Sequence, residues 1–342
     1  MRGGLVAQGA ARIMVGENAG RSRLSDLVSL SGVLRVCEME MVLLGAQGPR
    51  AFVETHALNE AIFCSGETDF DFRGRFVLPP EWCMLGFIHE TPEGSWCHGT
   101  PLEPGMAFTI LPEGISEFML CKGSSVSVVL LPLERLRDKL AELVPHQADI
   151  PARQLRLFRL SKEPLGAVLR SDFERVRRHL LRPHALADIH AMQEVDVEAL
   201  LTNHLLAGLS AQAEDRPQCS RSRRTHYLIV QRVEQYMRAN MRHDIYNNEM
   251  CAAAGVSERT LRYAFDDMMR ISPNRYLSML RLCTACRSLS LSDASRRSVK
   301  SVALSCGLWD LSRFADNYRR VFGELPRETL MRAPSPEHAS SV

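Results

Sequence analysis

What the 342-residue chain lacks narrows its class first. No stretch is apolar for long enough to span a bilayer, which takes about 20 residues, and Met1 to Gly20 carries scattered Arg but no run fit for a signal-peptide core. These absences predict a soluble, cytoplasmic protein. The chain has ten cysteines, Cys37, Cys64, Cys83, Cys97, Cys121, Cys219, Cys251, Cys283, Cys286 and Cys306, dispersed through apolar surroundings. Without a secretory signal they read as buried reduced thiols and not as a disulfide framework. The CxxC at Cys283–Cys286 has no second pair to complete four zinc ligands and lies in a helical pattern, so packing explains it better than metal or redox chemistry.

The content that remains, 45% apolar and 24% charged, is that of an ordinary globular protein with room for two cores. The formal charge of +2 hides an uneven distribution. Residues 221–332 hold 20 basic against 11 acidic side chains, a net +9, while the rest of the chain holds 22 against 29, a net −7. One region is therefore suited to a polyanion. Lysine is almost missing there: 19 of the 20 cations are Arg, whose planar fork suits phosphate and guanine.

Along the chain, residues 32–132 consist of short runs rich in Val, Phe, Ile and Leu, broken by Gly and Pro, as in Met84-Leu-Gly-Phe-Ile and Val126-Ser-Val-Val-Leu-Leu. That pattern predicts a β sandwich or open barrel. After Pro132 the period changes. Leu133, Leu136, Leu140 and Leu143 mark one face of a helix, and further helical patterns follow near Leu165–Leu181 and Val195–Ala213. Periodicity then lapses over 213–224, which is Pro-, Ser- and charge-rich and reads as a linker.

Beyond the linker every segment is helical. Asn247 to Ala254 ends at Gly255, a residue able to take the left-handed conformation, and Ser257 is a suitable cap for a second helix from Glu258. The pattern is that of a helix-turn-helix. The second helix should bury Leu261, Ala264, Phe265 and Met268 and project Arg259, Arg262 and Tyr263, where such motifs touch base edges. The same grammar recurs in Val299–Cys306, Gly307 and Leu311–Gly323. Its expected buried face is Leu311, Phe314, Tyr318, Val321 and Phe322, and its projecting residues are Ser312, Arg313, Asp316, Asn317 and Arg320. A continuous amphipathic run over 274–290, about 25 Å long as a helix, separates the copies. Such a spacer could set two recognition helices in successive major grooves, about 34 Å apart.

Ala252-Ala-Ala-Gly-Val-Ser with Leu261, Phe265, Ser272-Pro273 and Tyr276 resembles the first unit of the AraC/XylS family of transcription regulators. Val302-Ala-Leu-Ser-Cys-Gly, Arg313-Phe314, Tyr318-Arg-Arg and Phe322-Gly-Glu-Leu-Pro resemble its second. The ending from Ser312 is nearest the XylS-like branch, mostly activators of catabolic operons. The resemblance covers about Tyr227 to Arg332. It implies base contacts from Arg259, Arg262, Tyr263, Ser312, Arg313 and Asp316, and phosphate contacts from Ser257, Arg319 and Arg320. It further implies double-stranded DNA and RNA polymerase as partners, a small-molecule effector and a homodimer, with no cofactor and no enzymatic activity. Two positions depart from the family pattern. Arg270 stands where Gly is usual, so either the turn differs or the side chain reaches the DNA backbone. Asp316 stands where a basic or neutral residue is usual, and would fit a cytosine amino group.

The expected fold class is thus α+β. A mainly β, cupin-like sensor domain with added helices (1–212) precedes the linker (213–224), an all-α DNA-binding domain (225–332) and a disordered tail (333–342). Leu102 to Gly114 is similar to the turn-strand-turn of cupin-like sensor domains. Phe70, Phe72, Phe76, Trp82, Phe87, Trp96, Phe108 and Phe118 are expected either to pack the core or to line a ligand pocket. An apolar stripe at Val197, Leu200, Leu201, Leu205 and Leu209 is either a dimer seam or a face packed on its own sheet. The competing readings are control by a protein partner, a cupin-type metal enzyme, or a cysteine-based DNA repair protein. Candidate metal ligands are His89, Cys97 and His98 with Glu81 or Cys83, but the sequence has no His-x-His pair.

Overall fold

A computed structural model describes residues 10–15, 36–37, 39–45, 51–58, 60–147, 149–160, 164–181 and 195–332. The segment 333–342, where the sequence suggests a tail, lies outside them. The N-terminal part is built of two antiparallel sheets. One has the order β1 (Ala10–Val15), β3 (Ala51–Leu58), β4 (Ala61–Thr68), β11 (Ser124–Pro132), β6 (Trp82–Glu90), β9 (Met106–Ile110), β12 (Leu157–Arg159). The other runs β2 (Met39–Leu43), β5 (Phe72–Val77), β10 (Ile115–Leu120), β7 (Trp96–Cys97), β8 (Thr100–Pro101).

Side chains on a strand alternate between faces, so each sheet offers one inner and one outer surface. The inner surfaces meet in an apolar interior. The outer surface of the larger sheet is covered by α1 (Leu133–Leu143), the short α2 (Ala152–Leu155), α3 (Leu165–Leu181) and α4 (Val197–Ser210), which form one core with Phe63, Leu85 and Phe87. Phe87 stacks on Phe173 at 5.5 Å. Val197, Leu200, Leu201 and Leu205 are buried in this layer, so the stripe on α4 is packed on its own domain. At about 1.5–3 kcal/mol for each such side chain, this burial anchors the helices.

The C-terminal part is helical. The coil after α4 ends at Ser220, which caps α5 (Arg221–Ala239) through its Oγ, so residues 221–224 form the first turn of that helix. Then come α6 (Asn247–Ala254), α7 (Glu258–Met269), α8 (Pro273–Ser290), α9 (Val299–Ser305), α10 (Leu311–Phe322) and α11 (Pro326–Met331). Ser272 caps α8, Pro273 opens it, and its 18 residues run about 27 Å. No helix among the described residues is long and apolar enough to cross a membrane.

Candidate nucleic-acid interface and the domain contact behind it

The first helix-turn-helix is formed by α6 and α7. Gly255 takes the left-handed conformation (φ 67°), and the Oγ of Ser257 accepts from the backbone N–H of Thr260 at 3.2 Å. Helix α7 buries Leu261, Ala264, Phe265, Met268 and Met269. Arg259, Arg262 and Tyr263 share its exposed side. The Arg259 guanidinium lies 5.4 Å from the centre of the Tyr263 ring and donates to its hydroxyl at 3.3 Å, one turn along the same face. Of the acidic groups on this helix, Asp267 is held back by Arg223 at 3.3 Å and His226 at 2.8 Å.

The second unit is α9 and α10. Gly307 (φ 70°) lies so close to helix α5's end that a Cβ there would stand 2.2 Å from the carbonyl oxygen of Met241. Asp310 caps α10 by accepting from Arg313 N–H at 3.0 Å. Phe314, Tyr318, Val321 and Phe322 are buried as their spacing suggests, but Leu311 is not. It sits in the first turn and is 37% exposed, because the inward position ahead of the helix is filled by Leu308. Ser312, Arg313 and Asp316 are exposed, as are Arg319 and Arg320; Asn317 accepts from Arg320. Helix α8 joins the two units, and its Cys283 and Cys286 are buried. Burial pushes the Cys283 thiol up to about 12, and its sulfur accepts from the Leu43 N–H of the sandwich, so this CxxC is a packing element.

The exposed faces of α7 and α10 have a second domain behind them. The outer face of the smaller sheet carries Arg73, Arg75 and Glu117, and α5 docks on it. Arg73, 1% exposed, pairs with Glu117 at 3.0 Å and with Glu234 of α5 at 3.2 Å. Tyr227 donates to Glu117 at 2.6 Å. Glu234 is fully buried; desolvation opposes its charge, but Arg73, Arg238 and Arg75 outweigh that and hold its carboxyl down at about 2. At the sheet's edge Glu40 bridges Arg238 (2.7 Å) and Arg287 (3.2 Å). Trp96 lies under Arg73, with 4.8 Å from guanidinium to ring, edge-on to Tyr227, and bonds to the backbone of α7.

Arg270 resolves the question its position raises. The turn keeps the left-handed conformation (φ 55°) expected of Gly, and the guanidinium reaches the sandwich, where it donates to the Glu93 carbonyl. Gly94 leaves room for it: a Cβ there would lie 2.4 Å from the Arg270 nitrogen.

Between the two sheets lies a cavity of about 170 Å³. Phe70, Phe72, Phe76, Phe108 and Phe118 line it, whereas Phe87 and Trp96 belong to the outer faces. Two cross-strand pairs create the space. Phe118 is registered opposite Gly74 and Phe108 opposite Gly86. Each ring occupies the place a Cβ would take, within 2.2 and 2.0 Å, and so lies over bare backbone instead of reaching across the gap. The candidate metal ligands do not converge. His89 bonds to Glu174 (2.9 Å) and Ser127 (2.8 Å), Cys83 donates to the Leu131 carbonyl, and no group of three metal-ligating side chains occurs among the described residues. Burial raises the Cys83 thiol to about 12 and, with Arg156, lowers His98 to about 4.

Residues 250–332 match the family model described as "Helix-turn-helix domain". The XylDLEGF operon transcriptional activator 1 of Pseudomonas putida is 35% identical over 102 residues, covering 30% of this chain and 31% of that protein. The C-terminal domain is an AraC-type helix-turn-helix domain, similar to that of the XylS-type activators. A probable thc operon regulatory protein of Rhodococcus erythropolis is 26% identical over 161 residues, 47% of this chain and 48% of that one. A solved structure of a probable AraC family transcriptional regulator from Rhodopseudomonas palustris is 38% identical, with a TM-score of 0.28, over 31% of this chain and 98% of that chain. The chain thus spans less than a third of the length of the Pseudomonas activator, within this AraC-type domain.

Sequence reasoning located the helices of both helix-turn-helix units but missed the docking residues. Arg73 and Arg75 share one face of β5 with Glu117 of the neighbouring β10, Arg75 directly in register with it, a signal that marks a covered polar face without saying what covers it.

Proposed function

We propose that the protein is a sequence-specific DNA-binding transcription regulator, an activator of a metabolic operon, that reads two adjacent major grooves. The observation that carries this is the pair of capped, exposed recognition helices on one rigid spacer. In this reading Arg259, Arg262 and Tyr263 from α7, with Ser312, Arg313 and Asp316 from α10, meet base edges. Ser257, Arg319 and Arg320 meet phosphate, and RNA polymerase is the protein partner. Both units lie in one chain, so a monomer suffices to span two grooves, and a dimer would read two such sites.

Control comes from a small apolar effector in the sandwich cavity. A void of 150 Å³ lined by apolar groups takes a benzene-sized molecule, so the volume and the aromatic lining favour an arene or short aliphatic ligand over a polar sugar. The smaller sheet supports this reading because its two faces belong to two sites. Phe118 and Ser116 line the cavity, while Glu117 between them holds α5.

The test is selection of genomic fragments by the full-length protein at physiological salt. A motif with two contacts about one helical turn apart is expected. Arg262→Ala and Arg313→Ala should each cost about 1–3 kcal/mol and relax preference at a few bases, while Arg320→Ala weakens all sequences alike. Equal losses on specific and random DNA for all three would remove the base-reading roles.

A further inference from the structure

The turn of the second unit exposes two large apolar side chains, one of them at a position the pattern of the helix assigns to the buried face. Trp309, between the helices, is 56% exposed, and Leu311, in the first turn of α10, is 37% exposed. Their positions are fixed. Gly307 is wedged against the Met241 carbonyl, Leu308 packs into the core, and Asp310 caps the helix, so the chain between has no freedom to tuck either side chain inward. Isolated surface apolar residues are ordinary. These two lie one on each side of the cap at the leading end of a recognition helix, beside Ser312 and Arg313, and the α10 surface also carries Arg319 and Arg320. A surface of that composition fits a polyanion that presents an apolar group.

We propose that Trp309 and Leu311 read thymine C5-methyl groups in the major groove met by the second unit. Resting on the DNA-reading role of α10, this adds the chemical class of base read there. The methyl of thymine is the one apolar group on the major-groove edge of the four bases, and it is the partner of apolar side chains in direct readout. Leu311, in the first turn, reaches the groove floor alongside Arg313. The flat Trp309 ring, one residue outside the cap, covers a neighbouring methyl. The second half-site therefore carries thymine at one or two positions beside the base contacted by Arg313.

The experiment uses the full chain and the fragment it enriches from a random library, with each thymine of the second half-site replaced in turn by deoxyuridine, which removes only the methyl. Wild type should lose about 4-fold in affinity per contacted methyl, the worth of one buried methylene-sized group. The same replacement should be neutral in Leu311→Ala at one position and in Trp309→Ala at the other. Both residues are exposed, and unchanged melting temperatures confirm that the variants are folded. Deoxyuridine tolerated at every position overturns the proposal, as does a penalty of equal size in wild type and both variants. If these variants lose transcription activation but not the deoxyuridine effect, the patch serves a protein partner and the proposal fails. A motif that depends on Arg262 and Arg313 yet ignores the methyls refutes only the methyl contact, whereas no enriched motif refutes the base-reading role itself.

Discussion

The indole Nε1–H of Trp96, in β7 of the sandwich, donates to the backbone carbonyl of Met268, 2.8 Å away in the last turn of α7. Carbonyls in the last turn of a helix have no partner within it, so a side chain from the other domain satisfies a group that would otherwise be left to water. The bond ties the end of α7 opposite Arg259 and Arg262 to the smaller sheet. Orientation of the first unit is thereby set by the sandwich, and buried Trp96, among three tryptophans of very different exposure, is an internal reporter of that docking.

The buried ion cluster should be intolerant of partial removal. Arg73→Ala removes the fully buried one of the two cations, Arg73 and Arg75, that Glu117 and Glu234 share, and a broken buried pair costs about 3–5 kcal/mol. Urea denaturation should show that loss together with a red shift of Trp96 emission before global unfolding. A change under about 1 kcal/mol would mean that water reaches the cluster.

Arg270→Gly should separate two effects. Relief of the left-handed conformation stabilises the helical domain by about 1 kcal/mol, while loss of the bond to Glu93 loosens docking. The expected outcome is faster proteolysis in the coil at 212–220 with no loss of helical content. Unchanged proteolysis would show that the Trp96 bond holds the contact alone.

His204 predicts a pH dependence. It is fully buried, and desolvation lowers it from 6.5 to about 3, so it stays neutral when folded and accepts or donates with Thr109 at 2.8 Å. A depressed value means that the unfolded chain binds the extra proton below pH 6.5, so the contribution is complete above that pH and is lost as pH falls toward 3. The slope approaches about 1.4 kcal/mol per pH unit in that window. Melting curves of His204→Gln against wild type between pH 7 and 4 should show it, and parallel curves would exclude it.

Gly74→Ala tests the origin of the cavity. A Cβ at 2.2 Å from the Phe118 ring drives that ring into the void. The variant should lose about 1–3 kcal/mol of stability and most of its affinity for p-xylene, read as the ligand's effect on melting temperature. Unreduced p-xylene binding would place the ligand elsewhere.

Much of this was legible in residue order. Gly255, Ser257 and the period of Leu261, Phe265 and Met268 specify a helix-turn-helix because capping and amphipathicity are local. The alternation of Phe72, Gly74 and Phe76 likewise marks a strand. What was hidden depends on contacts across more than a hundred residues. Nothing near Arg73 names Glu234, nothing near Arg270 names Glu93, and Leu311 continues the stripe of Phe314 and Tyr318 yet is left exposed by the fold. The cavity was equally out of reach, since it arises from the registration of Phe118 on Gly74 and Phe108 on Gly86, which sequence spacing does not give.

The fit of Arg270 against Gly94 has a bearing on domain exchange. Two-part chains of this kind invite recombination, with the sandwich of one relative joined to the helical half of another. Here the joint is keyed. A foreign sandwich with a side chain at the position of Gly94 displaces the guanidinium, and a foreign helical half with glycine at 270 has nothing to insert. A working hybrid must therefore carry both halves of the key, and the seam for cutting lies outside this contact and not at the coil between the domains.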